Sequence, residues 1–387
     1  MSWVRNIGVC KKDRVYFNIK CIRKGATMKK RLIRVMSSLM FVCLLAGCGS
    51  KSSSGNAVSE APSKNEGTES VAEVAASGNA EITLEFGHIQ NPGHALAIAP
   101  EEFKALVEEK SGGRVAVNIY PSSQLGSARE MMEQVTMGTL DMTCCDTADW
   151  AAALNIPELA VFNMPFLTKD LATQAELIRT IIPEEVPKML EGSGTRLLMT
   201  YSNGIRQPLL KNKPITCLED IKGLKMRTAE TPLYVNLWNA LGASTVTSAW
   251  SEAYTLLQQG VADAVEADVT GLVNQNLQEQ GKYLSKIGHL GAIYCVFINE
   301  DKWNSIPEDL QGIISECALE SQEKQLSSRQ ASDDAAEKVM ADAGVEINEI
   351  SQEERSRMKD ACQSIYDEYI NNYNLGDLID RMLALNN

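Results

Sequence analysis

Arg227 is the residue whose type and place point most directly to chemistry. It lies near the end of a strand-like run, 224–228. A guanidinium at a strand end presents two parallel N–H donors in a fixed fork, which can orient a carboxylate bidentately. A lone arginine there also suits a surface charge or a structural ion pair, and residue type alone leaves both readings open. Trp250 stands just before Ser251, the expected start of a helix. Free backbone N–H groups beside an aromatic wall could hold an organic anion, while core packing is the plainer role for the indole. Asp146 and Asp149 follow another strand candidate, 140–145, and suit either the polar end of a bound molecule or a helix cap. His88 and His94 flank Asn91-Pro92-Gly93 after the first strand, where one ring could face a cleft. A metal centre needs further ligands at suitable spacing, and with His289 the third and last histidine the chain does not supply them. The sequence shows no nucleophile elbow, Gly-rich phosphate loop or zinc signature, so these residues favour binding over catalysis and call for no cofactor.

Such side chains need a scaffold, and from Glu81 onward short β-branched runs alternate with helical patterns. That alternation predicts an α/β protein whose lobes hold largely parallel sheets. Strands are expected at 82–89, 114–120, 140–145, 196–201, 224–228, 262–267 and 292–298, with helices such as 100–110 and 128–137 between them. Ser111-Gly112-Gly113 ends the first of these helices, and Pro121-Ser122-Ser123 turns the chain out of the second strand. Asn203-Gly204, just ahead of Arg206, reads as a turn after the fourth strand. Between Pro307 and Ala343 there is one glycine, Gly312, and no further proline. A single helix of about thirty residues is therefore expected, roughly 45 Å long at 1.5 Å per residue. It is longer than one lobe and should run along both.

At 387 residues the chain has room for one large or two mid-sized domains. A formal charge of −13 excludes nucleic acid as a partner, because such partners require a basic stripe to displace phosphate counterions. Any anionic ligand must meet a local positive charge instead. Lys29, Lys30, Arg31 and Arg34 precede an apolar stretch, 35–46, the layout of a secretory signal peptide, so export is expected. That stretch is too short to span a bilayer comfortably. It ends in Leu45-Ala46-Gly47-Cys48, which resembles a lipobox and implies an acylated Cys48 on the outer face of the cell membrane. Met28 opens a leader of normal length, so 1–27 read as an upstream extension and 28–47 as the signal peptide. Residues 48–80, rich in Ser, Gly, Ala, Asn and Glu, read as a flexible tether. Of ten cysteines, the six beyond Cys48 lack metal or redox spacing and are expected as buried free thiols.

Several stretches then carry a resemblance by their order and spacing: Phe86-Gly87-His88, Tyr120-Pro121-Ser122-Ser123-Gln124-Leu125-Gly126, Gly138-Thr139-Leu140-Asp141 and Asn163-Met164-Pro165-Phe166-Leu167. Asn203-Gly204-Ile205-Arg206-Gln207, Lys213-Pro214-Ile215, the run from Leu218 through Arg227, Leu241-Gly242-Ala243 and Ala249-Trp250-Ser251-Glu252-Ala253-Tyr254 continue it. Together they resemble the DctP-type solute receptors of TRAP (tripartite ATP-independent periplasmic) transporters. The resemblance implies a two-lobed periplasmic-binding-protein clamshell with a long helix spanning both lobes. Lobe 1 would hold 81–203 plus about 292–330, and lobe 2 would hold 204–291 plus about 331–387. It also implies that Arg227 pairs with a ligand carboxylate, that Arg206 faces the cleft or fastens its hinge, and that the loaded receptor docks on an ion-coupled membrane permease without using ATP.

Two departures bear on the ligand. Where many relatives read Asp-Gly-x-Glu-Asn-Pro, this chain has Asp263-Ala264-Val265-Glu266-Ala267-Asp268. The cleft asparagine is thus Ala267, so either Glu266 or Asp268 hydrogen-bonds ligand hydroxyls instead or the family contact is absent. Sialic-acid-binding relatives share 120–126 and Arg129, yet Ala128 stands where they carry an acid, which argues against sialic acid. A C4-dicarboxylate and a sugar acid both stay open as the small organic acid. An ABC-type binding lipoprotein, whose lobes are joined differently, and a non-transport surface lipoprotein are the alternatives.

Overall fold

Ten short or medium strands build the sheets, and their β-branched and aromatic content explains most of them. They are β1 (Ile82–Gly87), β2 (Val115–Tyr120), β3 (Met142–Asp146), β4 (Thr195–Leu210), β5 (Lys225–Thr228), β6 (Ser244–Thr247), β7 (Ala264–Ala267), β8 (Tyr283–Lys286), β9 (Leu290–Asn299) and β10 (Glu346–Glu349). This computed structural model describes residues 80–386. The expected leader, Cys48 and all but the last residue of the tether lie outside the described residues.

The strands lie in the order β2-β1-β3-β9-β4-β7-β5-β6, with β8 on β4 and β10 on β8. Two parallel groups result: β1 between β2 and β3, and β5 between β6 and β7. Between them run β9 and β4, antiparallel to their neighbours and to each other. The parallel expectation holds within each group and fails at these two long strands, which join the groups into a two-lobed α/β clamshell.

β4 serves both sheets, and it does so through a bulge. It pairs with β9 from Thr195 to Arg206 and with β7 from Gln207 to Leu210, with the register shifting between Ser202 and Ile205. The turn expected at Asn203-Gly204 is this bulge, so the strand does not end there. Gly204 adopts φ 72°, and a Cβ at that position would overlap the Arg329 guanidinium. A bulge bends and twists a strand, letting one strand pass from one sheet to another. It also frees backbone groups from the ladder, and side chains of the long helix take them up. Gln322 Oε1 accepts from Thr200 N at 2.9 Å and Gln325 Oε1 from Ser202 N at 3.0 Å, while Gln325 Nε2 donates to Ser202 O at 2.8 Å.

That helix, Glu308–Asp342, has 35 residues, about 52 Å at 1.5 Å per residue. It reaches the first-sheet side where Ser321 Oγ donates to Ala99 O at 3.0 Å, and the second-sheet side where Arg329 Nη2 donates to Asp268 Oδ2 at 3.0 Å. No helix among the described residues is long and apolar enough to cross a membrane. The main core holds Phe86, Phe103, Trp150, Phe162 and Phe297, with Trp150 stacked on Phe297 at 4.6 Å. A second cluster, including Leu257, Val265, Leu284 and Met340, sits under the second sheet. The six described cysteines are free, five of them buried and Cys217 half-buried. Of the segment 331–387, β10 pairs with β8, whereas Tyr366 OH donates to Pro165 O and Arg381 pairs with Glu184 and Glu185, in the stretch between β3 and β4.

Candidate functional site

Where β4 crosses between the sheets, the carboxyl ends of β3, β5 and β7 converge on a cavity of about 320 Å3. Ligands of α/β sheets bind beyond such strand ends, and pockets for small molecules span roughly 300–1,000 Å3. Asp146 and Asp149 line one side, and Arg227, Ser248 and Trp250 line the other. Asn203 and Arg206 of β4 and Tyr294 of β9 complete the wall between them.

Arg227 sits on β5 between β6 and β7 and is 2% exposed. Its Nε donates to Ser248 Oγ at 3.1 Å and its Nη2 to Ser248 O at 2.5 Å. Trp250 lies 5.4 Å from the guanidinium carbon, ring centroid to Cζ, so the indole covers the cation. Trp250 itself opens a short 3-10 turn, Trp250–Glu252, which leads straight into the expected helix, Ala253–Gln258. Burial pulls the Arg227 pKa down to about 10; the Glu266 charge opposes that shift and the Arg206 charge adds to it. The group therefore stays charged at neutral pH. Among the described residues no carboxylate lies within ion-pair distance of it, and its Nη1 has no hydrogen-bond partner. Ser248 thus holds one edge of the fork while the other remains available.

Arg206 is arranged oppositely. Its Nε donates to Glu266 Oε2 at 2.6 Å and its Nη2 to Glu266 Oε1 at 2.9 Å, a bidentate buried pair, while the Tyr234 ring lies 5.2 Å away. Glu266 also accepts from Thr228 Oγ1 at 2.9 Å and lies 3.1 Å from His289 Nε2. Burial alone would raise the Glu266 pKa, but Arg206 and His289 outweigh it and hold the carboxyl at about 2. Glu266 is not on the cavity wall. Of the two acids expected to meet ligand hydroxyls, Asp268 lines the cavity, next to Ala267, and Glu266 does not. Asp268 caps the helix Val269–Asn274 through Gly271 N at 3.0 Å and pairs with Arg329.

Asp146 and Asp149 close the opposite wall. Asp146 Oδ1 accepts from Ala148 N at 2.8 Å, capping the helix Thr147–Leu154, and also from Asn163 Nδ2. Its Oδ2 accepts from Tyr234 OH at 2.6 Å. Thr231 Oγ1 donates to Asp149 Oδ1. Since Thr231 and Tyr234 belong to the second-sheet side, these bonds bridge the cleft over the cavity. Burial first and the Asp149 charge second raise the Asp146 pKa well above the usual carboxylate range. Asp149 is shifted upward as well, by burial, against the pull of Thr231, Arg206 and Arg227.

His88 is not on the wall, and its neighbours Ile89 and Gln90 are. Its ring packs edge-on to Phe86 at 6.3 Å with neither nitrogen partnered, and burial with the nearby His94 lowers its pKa to about 4. Among the described residues no group of three or more His, Cys, Asp or Glu side chains comes together as a metal site. Sequence reasoning passed over Ser248, Tyr234, Tyr294 and Asn203 as cavity residues. Only Asn203 carried a signal, and its place beside Gly204 gave that signal to a turn.

Residues 86–372 match the family described as bacterial extracellular solute-binding protein, family 7. The C4-dicarboxylate-binding periplasmic protein DctP of Rhodobacter capsulatus is 30% identical over 294 residues, 74% of this chain and 86% of that protein. The 2,3-diketo-L-gulonate-binding periplasmic protein YiaO of Escherichia coli K12 is 28% identical over 234 residues, 60% of this chain and 71% of that one. Among solved structures, a TRAP periplasmic solute binding protein from Desulfovibrio salexigens with bound orotic acid superposes with TM-score 0.72 at 27% identity, covering 78% of this chain and 98% of the other. One from Chromohalobacter salexigens with bound D-glucuronate gives TM-score 0.74 at 25% identity, covering 78% and 99%.

Proposed function

Because the chain belongs to family 7 of the bacterial extracellular solute-binding proteins, the DctP receptors of TRAP transporters, we propose that it captures an organic acid anion through Arg227 and delivers it to an ion-coupled membrane permease. The observation that carries this reading is the buried Arg227 guanidinium, which lines the cavity, is held along one edge by Ser248 and has no carboxylate among the described residues within ion-pair distance. A buried charge without a counter-charge is costly, so a ligand carboxylate recovers what the empty site lacks. The acids named for the relatives, C4-dicarboxylate, 2,3-diketo-L-gulonate, orotic acid and D-glucuronate, all carry a carboxylate of the kind that such an arginine receives.

In this mechanism the anion enters an open cleft and its carboxylate settles on the free edge of Arg227 under Trp250. Arg206, locked by Glu266, shapes the pocket without drawing on the ligand's charge. Closure then forms the Thr231–Asp149 and Tyr234–Asp146 bonds, and the ligand favours the closed state because it contacts both sides only there. The protein binds and releases; no step requires it to act as an enzyme. An acylated Cys48 and the tether behind it would keep the receptor near its permease and raise the encounter concentration.

Thermal unfolding of the full-length chain against dicarboxylates, keto acids and uronates, with neutral sugars, amino acids and peptides as controls, tests the reading. A ligand at 100 times its dissociation constant adds about 2.7 kcal/mol, a readily measured rise in Tm. Stabilisation by an organic acid alone is the expected result. Stabilisation only by amino acids or peptides would transfer the chain's role to the ABC-type alternative.

A further inference from the structure

The charges around the cavity do not treat the two ends of a ligand alike. Seven charged side chains reach it: Arg129, Asp146, Asp149, Arg206, Arg227, Glu230 and Asp268. Arg206 is neutralised by Glu266, and Asp268 by Arg329. Arg129 is at the exposed rim, paired with Glu133 at 3.1 Å, and Glu230 is exposed. What remains inside is one cation, Arg227, facing two acids on the other side. A second carboxylate on the ligand would have to lie near Asp146 and Asp149 with no unpaired basic group among the described residues to receive it, and like charges brought together in a desolvated site repel strongly.

The same walls also leave acceptors without a donor. Asn203 is 2% exposed, lines the cavity, and leaves its Oδ1 without a partner among the described residues. Asp149 accepts from Thr231 through one oxygen, and its other oxygen has no donor among the described residues. A buried acceptor left unmade is expensive, so the donor missing at Asn203 must come from whatever fills the cavity, and the half-buried Asp149 offers a second acceptor beside it. These acceptors come from separate elements, the helix Thr147–Leu154 and β4, so one compact donor cannot serve them all; several hydroxyls along a chain or ring can. The cavity of about 320 Å3 has room for roughly ten water volumes, enough for a sugar-sized molecule.

We propose that the ligand is a polyhydroxylated monocarboxylate of the sugar-acid class, with its single carboxylate on Arg227 and its hydroxyls donating to Asp149, Asp146 and Asn203, and that this site discriminates against dicarboxylates. The inference rests on the carboxylate-capture reading above and narrows it.

Calorimetric titration of the full-length chain with D-glucuronate, D-galactonate, succinate, L-malate, hexanoate and an amino acid separates the possibilities. At least one sugar acid should bind 100-fold or more tightly than succinate, malate and hexanoate. Asn203→Leu should weaken the sugar acid about tenfold while leaving succinate unchanged. Asp149→Asn keeps the bond from Thr231 and removes the charge, so it should narrow the gap between sugar acid and succinate about tenfold. Succinate, malate, hexanoate or the amino acid binding as tightly as the sugar acids overturns the inference, as does an unchanged gap in Asp149→Asn. Failure of every carboxylate to bind would instead overturn the capture reading on which it stands.

Discussion

Arg206 and Arg227 reach the same cavity from neighbouring parts of one sheet, and both are almost fully buried. One is bonded at Nε and Nη2 to a carboxylate, and the other is bonded at the same two nitrogens to a serine hydroxyl and carbonyl. Neutral partners orient a guanidinium without cancelling its charge. A carboxylate partner does both, so the chain spends one arginine on building the pocket and leaves the other with charge to offer a ligand. The lesson is that position on a cavity wall does not make an arginine a ligand anchor; the state of its counter-charge does.

The sharpest way to break this comparison is to remove the counter-charge from Arg206. Glu266→Gln leaves a buried cation uncompensated and should cost about 3–5 kcal/mol of stability, read as a lower urea midpoint in the ligand-free protein. An unchanged midpoint would make the two arginines equivalent. Arg227→Ala should show the opposite profile. Ligand-free stability should stay within about 1 kcal/mol of the parent, because a charge without a counter-charge is being removed, while carboxylate affinity falls by about 2–5 kcal/mol in calorimetry. Equal affinity in that variant would remove Arg227 from the binding reaction.

Two smaller effects sharpen the picture from outside the cavity. Gly204→Ala puts a side chain into a left-handed backbone position and against Arg329, where β4 crosses toward Arg206. It should cost about 1–3 kcal/mol by urea unfolding, and a neutral result would show that the bulge relaxes freely. His88, a buried base off the cavity wall, serves as the control. Its folded pKa of about 4 lies below the ordinary value of 6.5, so the unfolded chain binds the proton first as pH falls. The stability it contributes is complete above pH 6.5 and is lost progressively toward pH 4, by up to about 3 kcal/mol. His88→Phe should remove about 2 kcal/mol of the stability loss between pH 7 and pH 5, whether or not ligand is present. A pH slope identical to the parent's would contradict this.

Most strands and the long helix were legible because their signals are local. The glycine- and proline-poor run after Pro307 predicts a helix of about thirty residues and the structure has 35. The strands that were not expected, β6, β8 and β10, are four residues each and find their partners only through tertiary packing. Asn203-Gly204 shows the same limit in another form. The dipeptide does supply a left-handed residue, but whether that ends a strand or bulges it depends on Gln322, Gln325 and Arg329, more than a hundred residues away.

For the cleft, the sequence by itself determined the α/β class, the segments that bring Arg227, Trp250, Asp146 and Asp149 to or just past strand ends, and through the pattern of short motifs the family. Tertiary structure alone decided which arginine is neutralised, that Glu266 and His88 stand behind the wall, and that Asn203 joins it. The physical reason is range. Periodicity and turn chemistry act between near neighbours, whereas the Arg206–Glu266 pair closes across 60 residues and the Tyr234–Asp146 bond across 88, distances over which only the assembled fold can bring charges together.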